Sequence, residues 1–449
     1  MSGVVHVIGA GLAGLSAATR LAERGERVVL HEAAKAAGGR CRSYHDTTLG
    51  LDIDNGNHLL LSGNHAAMDY LRRVGGLAAM WTAPEAVFDF VDLRDGETWR
   101  LRPNAGRLPW WVLAPSRRVP NTRAADYLAA LPLLRAGRDT TISEAMRCEG
   151  PLWERLWEPV LLAALNTAPR EGSAALAGKV LRETLGAGGQ ACRPMVATGG
   201  LSAAFVEPAL AYLRSRGAEV RFGTRLRALR FDGAPPPHAE VPAMGRPRST
   251  QEGAPSGAPQ DEDGGSRYVS AALFADSETA IGPEDRVVLA VPPWVAAEIV
   301  PGLSVPTEHR SIVNGHFAAL PTPGQPPLLG LVGGTTEWLF AYPDRLSVTI
   351  SAADRLLDTP REELAATIWR EIAPLAGRAN EPLPAWQIVR EKRATFSATP
   401  AMDALRPGAR TRFANLTLAG DWTDTGLPAT IEGAIRSGVA AAELASRMA

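Results

Sequence analysis

The start of the chain carries the hydrophobic pattern of a strand, a helix and a second strand. Val4–Ile8 is a short β-branched run, which is typical of a strand buried in a parallel sheet. Apolar residues then recur at helical spacing until Gly25, where the glycine predicts the end of the helix. Arg27–His31 is apolar again and predicts a second strand. The pattern therefore predicts an α/β fold that begins with a β–α–β unit.

Three glycines with the spacing GxGxxG occupy the turn between the first predicted strand and the helix. Gly9 permits the tight turn, Gly11 lets a ligand approach the backbone, and Gly14 lets helix and strand pack closely. Free N–H groups at the helix N-terminus, around Leu12 and Ala13, would hold an anionic pyrophosphate. The motif predicts a dinucleotide site, and the alternative is a glycine-rich turn without a ligand.

Glu32 stands 18 residues beyond Gly14, at the end of the second predicted strand. A carboxylate at this place accepts a hydrogen bond from a ribose hydroxyl and repels a 2′-phosphate. Glu32 therefore favours a nucleotide without that phosphate, which leaves both NAD and FAD open.

A second glycine pair follows the acidic residue and is joined to two arginines. Gly38, Gly39, Arg40 and Arg42 combine close backbone approach with two positive charges. This combination favours FAD over NAD, because it suits a longer ligand whose pyrophosphate needs further neutralisation. The alternative is a surface turn with solvated arginines.

The last predicted strand and helix supply a matching segment at the other end of the sequence. Leu416–Ala419 predicts a strand, and Gly420 and Asp421 follow it directly. After a loop, a helix is predicted to begin near Thr430, so that Ile431 lies in its first turn. Its N-terminus can stabilise negative charge on a flavin, and Asp421 can hold a ribityl or ribose hydroxyl. The alternative is a structural helix that only packs on the sheet.

Together these motifs resemble those of the FAD-dependent amine oxidase and phytoene desaturase superfamily. The resemblance rests on the first glycine motif, Glu32, the Gly38–Arg40 segment and the Gly420–Asp421 segment. A narrower resemblance is to the hydroxysqualene dehydroxylases of squalene and hopanoid synthesis. It is carried by five stretches, IDNGNHLLLSGN (53–64), LRPNAGRLPWW (101–111), LWEPVLLAALNTAP (156–169), ACRPMVATGGLSAAFVEPAL (191–210) and VVLAVPPWVAAEIVPGL (287–303).

The resemblance implies a Rossmann-like FAD-binding domain of the amine oxidase type and a second, mixed α+β substrate domain. The cofactor implied is one non-covalently bound FAD. In such proteins a strand passes the adenine side of FAD, and its backbone contact falls at Leu226 here. The FAD-binding domain is predicted to comprise residues 1–75, 195–300 and 390–449, and the substrate domain residues 76–194, mostly helical, and 301–389.

Residues 234–266 differ from the rest of the chain in composition. They hold seven prolines and five glycines and no aromatic residue. A segment of this kind cannot bury enough apolar area to offset the entropy lost on ordering it. We predict a disordered insertion between two strands of the FAD-binding domain.

The segment after the arginines contains the candidate catalytic residues. In the superfamily this segment bends beneath the isoalloxazine ring, which implies that Asp54, Asn57 and His58 lie near the flavin. His58 is the candidate proton donor because a histidine titrates near neutral pH, and Asp54 would orient it or bind the cofactor. Asn57 is a predicted cofactor contact. The alternative for His58 is a residue that only hydrogen-bonds the flavin or the backbone.

Composition and charge narrow the range of partners. A net charge of −1 over 449 residues argues against nucleic acid. The three cysteines are widely separated, so that neither a disulfide framework nor a metal cluster is expected, and a reducing cytoplasmic setting fits best.

A basic and aromatic stretch suggests contact with a membrane. Between Arg100 and Arg138 there are eight arginines and one acid, Asp126, interleaved with Trp110 and Trp111. Basic residues beside indoles suit the interface of an anionic bilayer, which predicts peripheral contact with the inner face of the cell membrane. The alternative is a solvated basic face or a contact between domains.

Three functions are consistent with these motifs. The first is the reduction of hydroxysqualene to squalene by hydride transfer from reduced FAD, which makes the substrate an isoprenoid lipid. The second is a carotenoid-type desaturase or an amine oxidase, and the third is a non-catalytic isoprenoid-binding protein on the same scaffold. No second GxGxxG follows another predicted strand, so the external electron donor is unknown from the sequence.

Overall fold

The computed structural model describes residues 3–232 and 267–448, so the insertion predicted at 234–266 lies outside the described residues. The strands are β1 (Val4–Ile8), β2 (Arg27–Glu32), β3 (Ser43–Asp46), β4 (Leu51–Asp54), β5 (Leu60–Leu61), β6 (Trp81–Thr82), β7 (Phe88–Asp92), β8 (Thr98–Leu101), β9 (Pro194–Val196), β10 (Glu219–Phe222), β11 (Leu226–Asp232), β12 (Tyr268–Phe274), β13 (Glu278–Ala280), β14 (Arg286–Leu289), β15 (His309–Phe317), β16 (Leu328–Val332), β17 (Trp338–Tyr342), β18 (Arg345–Ile350), β19 (Trp386–Phe396) and β20 (Leu416–Leu418).

The α-helices are α1 (Leu12–Glu23), α2 (His65–Val74), α3 (Ile142–Ala145), α4 (Glu158–Leu165), α5 (Ala174–Glu183), α6 (Glu207–Ser215), α7 (Pro293–Ile299), α8 (Arg361–Ile372), α9 (Pro400–Ala404) and α10 (Ile431–Arg447). Three 3-10 segments, Trp110–Leu113, Pro115–Arg117 and Ala124–Arg135, lie between β8 and α3. No helix within residues 3–232 and 267–448 is long and apolar enough to cross a membrane.

Five parallel strands form the sheet that carries the glycine motif. Their order is β10-β2-β1-β14-β20, so strands from distant parts of the chain lie side by side. Val5 and Val7 on β1 have no exposed surface, as expected for a parallel strand covered on both faces. Helix α10 lies against α1, where a Cβ on Gly438 would come within 2.2 Å of the Ala13 carbonyl oxygen. The predicted α/β class is confirmed.

A seven-stranded sheet with the order β19-β15-β18-β17-β16-β7-β8 forms the second large layer. Its strand pairs are antiparallel apart from β16 with β7. Helix α8 covers one face, and Trp369 stacks on Phe317 with ring centroids 5.6 Å apart. The pairing of β19 with β15 continues to Phe396 opposite His309, so the domain boundary predicted at residue 390 falls inside a strand.

The piece predicted to be mostly helical, residues 76–194, contributes both strands and helices. Strands β7 and β8 complete the seven-stranded sheet, whereas α3, α4 and α5 pack with the 3-10 segments. Tyr127 contacts Trp111 and Trp157 edge to face, with centroids 5.2 and 6.3 Å apart. These rings belong to one buried apolar cluster that extends to Phe396 and Trp422, beside the carboxyl end of the parallel sheet.

Candidate functional site

The turn after β1 has the backbone that the GxGxxG motif requires. Gly9 has a φ of 106°, and a Cβ there would lie 2.3 Å from the Ala290 carbonyl oxygen. A Cβ on Gly14 would lie 1.8 Å from the carbonyl oxygen of Gly9. A Cβ on Gly11, in contrast, would meet no atom within 4 Å. Gly9 and Gly14 are therefore required by packing, whereas Gly11 borders open space from which a ligand can approach the backbone.

Helix α1 begins at this turn without a side-chain cap. Its N-cap residue is Gly11, which offers no side-chain oxygen to the free N–H groups of the first turn. Leu12 and Ala13 begin that turn, and their side chains are buried. An anion at this end would accept hydrogen bonds from the free N–H groups and be stabilised by the helix dipole. The geometry suits a pyrophosphate.

Glu32 is the last residue of β2, and its carboxylate reaches back to the glycine turn. One oxygen accepts from Ala10 N at 2.7 Å, and the other accepts from Ala34 N at 2.8 Å. An ionised carboxylate has about four lone-pair sites, so each oxygen can still accept a further hydrogen bond. Glu32 thus both fixes the loop and remains able to bind a ribose hydroxyl, as predicted for it.

The second glycine pair lies directly against the first turn. Gly38 and Gly39 have φ values of 105° and 57°, which favour glycine. Gly38 N donates to the Ala10 carbonyl oxygen at 2.8 Å, and a Cβ on Gly39 would lie 3.4 Å from Gly11 Cα. The two glycine turns therefore form one continuous backbone surface beside the start of α1.

Arg40 joins the N-terminal motif to the C-terminal motif through a charge pair. Its Nη2 donates to both carboxylate oxygens of Asp421 at 2.7 Å, and its Nη1 donates to the Ala394 carbonyl oxygen. The Arg40 side chain is 43% exposed, whereas that of Asp421 is only 10% exposed. The two motifs thus meet at one place, where a single guanidinium nitrogen donates to both carboxylate oxygens in a charge-assisted contact.

The segment around Asp421 folds as the sequence predicts. Helix α10 begins at Ile431, and the hydroxyl of its N-cap Thr430 accepts from Gly433 N at 3.0 Å. Buried Arg406 donates to the Asp421 carbonyl oxygen at 3.3 Å and so holds the turn from behind. The Asp421 carboxylate is therefore presented from a fixed backbone.

Leu226 lies near the strand end that carries Glu32. Strand β10 pairs with β2 until Phe222 stands opposite Glu32, and Thr224 N then donates to the Glu32 carbonyl oxygen at 2.9 Å. Leu226 follows two residues later and is buried at the start of β11. This is the side on which the adenine was expected, and the backbone contact itself stays a prediction.

Asp54 was expected either to orient His58 or to bind the cofactor; the structure bears on the first role, and the second stays a prediction. Its Oδ1 accepts from Ser43 Oγ at 2.6 Å and from Leu201 N at 2.9 Å, and burial raises the pKa of the carboxyl. Within the described part of the chain it makes no hydrogen bond to His58, so the expectation that Asp54 orients that ring is corrected. The carboxylate instead fastens the β3–β4 hairpin to the segment before α6.

Asn57 ties the loop after β4 to the seven-stranded sheet. Its Nδ2 donates to the Val348 carbonyl oxygen at 3.0 Å and to Thr349 Oγ1 at 3.1 Å. Its backbone N donates to Asn314 Oδ1 at 3.2 Å. Asn57 Oδ1 is buried and has no hydrogen-bond partner among residues 3–232 and 267–448, so it is the side-chain atom available to a cofactor.

His58 is half-buried close to the positive charge of Arg40. Burial, together with a smaller effect of the Arg40 charge, lowers the pKa of its ring to about 4. The ring is therefore neutral at pH 7. A neutral imidazole donates a hydrogen bond from its N–H, but it is a weaker acid than an imidazolium. The predicted donor role of His58 thus depends on a hydrogen bond and not on a resident positive charge.

Three residues beside the Arg40–Asp421 pair were not among the predicted site residues. Trp294, His309 and Phe396 line the same small cavity as that pair. The rings of Trp294 and His309 meet edge to face at 5.1 Å. Trp294 directly follows the proline pair after β14, and this sequence pattern could have indicated that it lies at the end of a strand of the parallel sheet. His309 and Phe396 reach the site only because β15 and β19 pair with each other.

These residues fit an FAD. The uncapped start of α1 suits the pyrophosphate, the Glu32 carboxylate suits the ribose, and Asp421 suits a ribityl hydroxyl. Open space lies where a Cβ on Gly11 would project, and Gly39 lies close to the Cα of Gly11. In the described ranges no three or more His, Cys, Asp or Glu side chains are grouped so that they could hold a metal ion.

Comparison with solved structures shows the same fold. The oxidoreductase of Methanosarcina mazei superposes with a TM-score of 0.66 at 14% identity, covering 98% of this chain and 100% of that chain. The cyclohexylamine oxidase of Brevibacterium oxydans superposes with a TM-score of 0.64 at 15% identity, covering 100% and 99%. At these identities the likeness establishes the fold alone.

Comparison of sequences identifies the family. The family described as flavin containing amine oxidoreductase matches residues 12–241 and 260–445. The hydroxysqualene dehydroxylase of Rhodopseudomonas palustris is 54% identical over 99% of this chain and 98% of its own length. That of Zymomonas mobilis is 45% identical over 98% and 99%. The chain therefore belongs to the flavin-containing amine oxidoreductase family, in the same branch as the hydroxysqualene dehydroxylases, and it is an enzyme with FAD as its cofactor.

Proposed function

We propose that this protein reduces hydroxysqualene to squalene within squalene and hopanoid synthesis. The observation that carries the proposal is the 54% identity, over nearly the whole of both chains, to a hydroxysqualene dehydroxylase. The cofactor motifs from Gly9 to Arg40 are intact, which favours an enzyme over a binding protein on the same scaffold.

The reaction exchanges a carbon–oxygen bond for a carbon–hydrogen bond. The allylic carbon receives a hydride, and the oxygen leaves as water after it gains one proton. FAD, bound in its reduced form, supplies the hydride and its two electrons. The protein must therefore position the carbon, keep bulk water out and supply a proton to the leaving oxygen.

His58 is our proposed donor for that oxygen: its neutral ring gives the N–H proton to the oxygen while its other nitrogen takes up a proton delivered from solvent, so that the ring stays neutral. Its neutral ring can hydrogen-bond the hydroxyl through N–H, and its half-buried position in the segment assigned beneath the flavin suits this contact. Asn57 and Asp54 support the segment from two sides, because one holds the seven-stranded sheet and the other holds the residues before α6. A fixed loop keeps the donor in place during hydride transfer.

We further propose a cytoplasmic location at the inner face of the cell membrane. The support is chemical, because a C30 isoprenoid alcohol partitions into lipid and would reach the protein from a bilayer. The reductant that reloads FAD is an external donor, which we leave unassigned.

The decisive experiment is single-turnover reoxidation of the reduced protein under anaerobic conditions. Hydroxysqualene should restore the oxidised flavin spectrum, and squalene should appear in equal amount. Amines and carotenoid precursors serve as alternative substrates. These are added to the oxidised protein, because an amine oxidase or a desaturase takes hydride from its substrate and so reduces the flavin. A protein that hydroxysqualene does not reoxidise would be an amine oxidase if an amine reduces it, and a desaturase if a carotenoid precursor does.

A further inference from the structure

Five large hydrophobic side chains are exposed on two neighbouring segments, and we name this surface the apolar tip. Among the described residues only seven large hydrophobic side chains are exposed, so the tip concentrates most of them. Its members are Leu108, Trp110, Leu113, Leu128 and Leu131, which are 82%, 52%, 69%, 61% and 52% exposed. A clustered apolar surface of this kind marks an interaction site.

The two segments of the apolar tip are held together from inside. Trp111 is buried and meets the ring of Tyr127 at 5.2 Å. Val119 N donates to Tyr127 Oη at 3.0 Å, which closes the loop between the segments. The neighbours of these buried rings, Trp110 and Leu128, point outward. The tip is therefore a surface built by the fold and not a frayed end.

Positive charge surrounds the apolar tip. Arg117 lies over the ring of Trp110, with its guanidinium carbon 4.8 Å from the ring centroid. The carboxylate of Asp126 caps the 3-10 segment Ala124–Arg135 by accepting a hydrogen bond from Arg123 N. Of the eight arginines between Arg100 and Arg138, three have a carboxylate partner in the described part of the chain, and the other five do not: Arg107, Arg117, Arg118, Arg123 and Arg135. Exposed leucine and tryptophan among unpaired arginines match the interface of an anionic bilayer.

We infer that the apolar tip inserts into the headgroup region of an anionic lipid bilayer. Behind the tip, Trp111 and Tyr127 belong to the same buried apolar cluster as Phe396 and Trp422, which line the cavity at the Arg40–Asp421 pair. Closely packed apolar side chains therefore join the tip to the candidate site. The inference rests on the proposed function only for the reason that this enzyme would dock to a bilayer.

A second copy of the chain is a poorer occupant of the apolar tip. An interface between two copies related by a twofold axis would bring the same surface face to face. The five unpaired arginines of each copy would then confront one another with only Asp126 as an intervening acid, and like charges at an interface are unfavourable. Anionic headgroups instead neutralise every arginine.

Vesicle binding of the holoenzyme tests the inference. Leu108→Ser with Leu113→Ser, and separately Leu128→Ser with Leu131→Ser, should each weaken binding to vesicles rich in phosphatidylglycerol by about tenfold or more. Leu320→Ser is the matched control, since Leu320 is 58% exposed away from the tip. Flavin content and thermal unfolding of each variant establish that it is folded.

The charge contribution is tested with a second pair of variants. Arg107→Gln with Arg135→Gln should weaken binding to anionic vesicles about tenfold or more and reduce its dependence on salt. Arg72→Gln with Arg147→Gln is the control, because both are exposed arginines outside the tip. Equal binding of wild type to neutral and anionic vesicles would overturn the anionic preference.

Three outcomes would overturn the docking surface as a whole. They are no vesicle binding by the wild type, unchanged binding by both leucine variants, and a wild-type dimer that the leucine variants convert to monomers without any vesicle binding. Reoxidation of the reduced protein by hydroxysqualene dispersed in detergent is measured in parallel. If hydroxysqualene does not reoxidise the wild-type protein, the proposed reaction is contradicted. The vesicle experiment still tests membrane docking on its own.

Discussion

At the scale of single residues, Glu32 and Arg40 each serve both the fold and the cofactor. Glu32 accepts hydrogen bonds from two backbone N–H groups, those of Ala10 and Ala34, and is also expected to bind the ribose. Arg40 holds Asp421 and a carbonyl oxygen on β19, so that its charge is fixed between three segments. Substitution of either residue therefore changes the shape of the site as well as its charge.

Glu32→Ala should weaken FAD retention by about 1–3 kcal/mol, because a charged hydrogen bond to the ribose is lost together with two loop contacts. The dissociation constant of FAD for the apoprotein, followed by flavin fluorescence, measures this change. Glu32→Gln is the matched control, since its amide keeps the length and one acceptor. Unchanged FAD affinity in the alanine variant would refute the assignment of Glu32.

His58→Ala should retain FAD and remain reducible, yet transfer hydride to hydroxysqualene about 10²–10⁴-fold more slowly. The reason is the loss of the hydrogen-bond donor proposed for the leaving oxygen. Anaerobic single-turnover reoxidation gives the rate directly. His58→Asn, which keeps an N–H donor, should recover part of it. If the alanine variant is reoxidised at the wild-type rate, the proton comes from another group or an ordered water.

At the scale of elements, the contact between α1 and α10 fixes the start of the cofactor site. Gly438 brings the last long helix against the backbone of α1 one turn from the glycine motif. The same helix begins at Ile431 beside the Asp421 segment. The distance between α1 and α10 therefore sets the position of the glycine motif relative to the Asp421 segment.

Gly438→Val should lower the free energy of unfolding by about 1–3 kcal/mol, because the added atoms overlap the Ala13 carbonyl oxygen and side-chain atoms of Ser16. Urea unfolding followed by circular dichroism measures the loss. Ala440→Val adds the same kind of side chain on the exposed side of α10 and should cost much less. Equal losses in the two variants would show that helix propensity, and not packing, is responsible.

Much of the cofactor site could be predicted at this scale. Strand, glycine turn and helix are consecutive in sequence, so Gly9, Gly14 and Glu32 are placed by local geometry alone. Thr430 caps α10 where the pattern indicated. The bond of Asn57 to Asn314 and the position of His309 depend on which strands pair in the seven-stranded sheet. A pairing between segments some 250 residues apart leaves no local pattern, and the hydrogen bonds of Asp54 were missed for the same reason.

At the scale of the whole molecule, buried neutral histidines link stability to pH. His6 and His31 share a hydrogen bond of 3.3 Å on adjacent strands, and His316 lies in the seven-stranded sheet. Burial lowers the pKa of all three, to about 4 for His31 and about 3 for His316. Each folded-state pKa lies below the unfolded value of about 6.5. At pH values between the two, the unfolded chain therefore binds more protons than the folded chain.

The free energy of unfolding should therefore be highest above about pH 6.5 and fall as the pH is lowered toward 4, by at most about 1.4 kcal/mol per pH unit for each histidine. Urea unfolding at pH 7, 6, 5 and 4.5 gives the slope. His31→Phe, which can keep the stack on Phe274, should flatten it. His45→Asn, at an exposed site, should not. A slope that is the same in all three proteins would assign the effect to other groups.

The order of strands in the parallel sheet also determines when the protein can fold during synthesis. The central strand β1 leaves the ribosome first, but its neighbour β14 follows about 280 residues later and the edge strand β20 later still. Most of the seven-stranded sheet, from β15 to β19, is synthesised between β14 and β20. The seven-stranded sheet is complete only when residue 396 has emerged, and the parallel sheet only when residue 418 has, so the nascent chain keeps apolar strands unpaired for most of its translation. We expect its yield in the cell to depend on chaperones and on translation speed more strongly than its equilibrium stability would suggest.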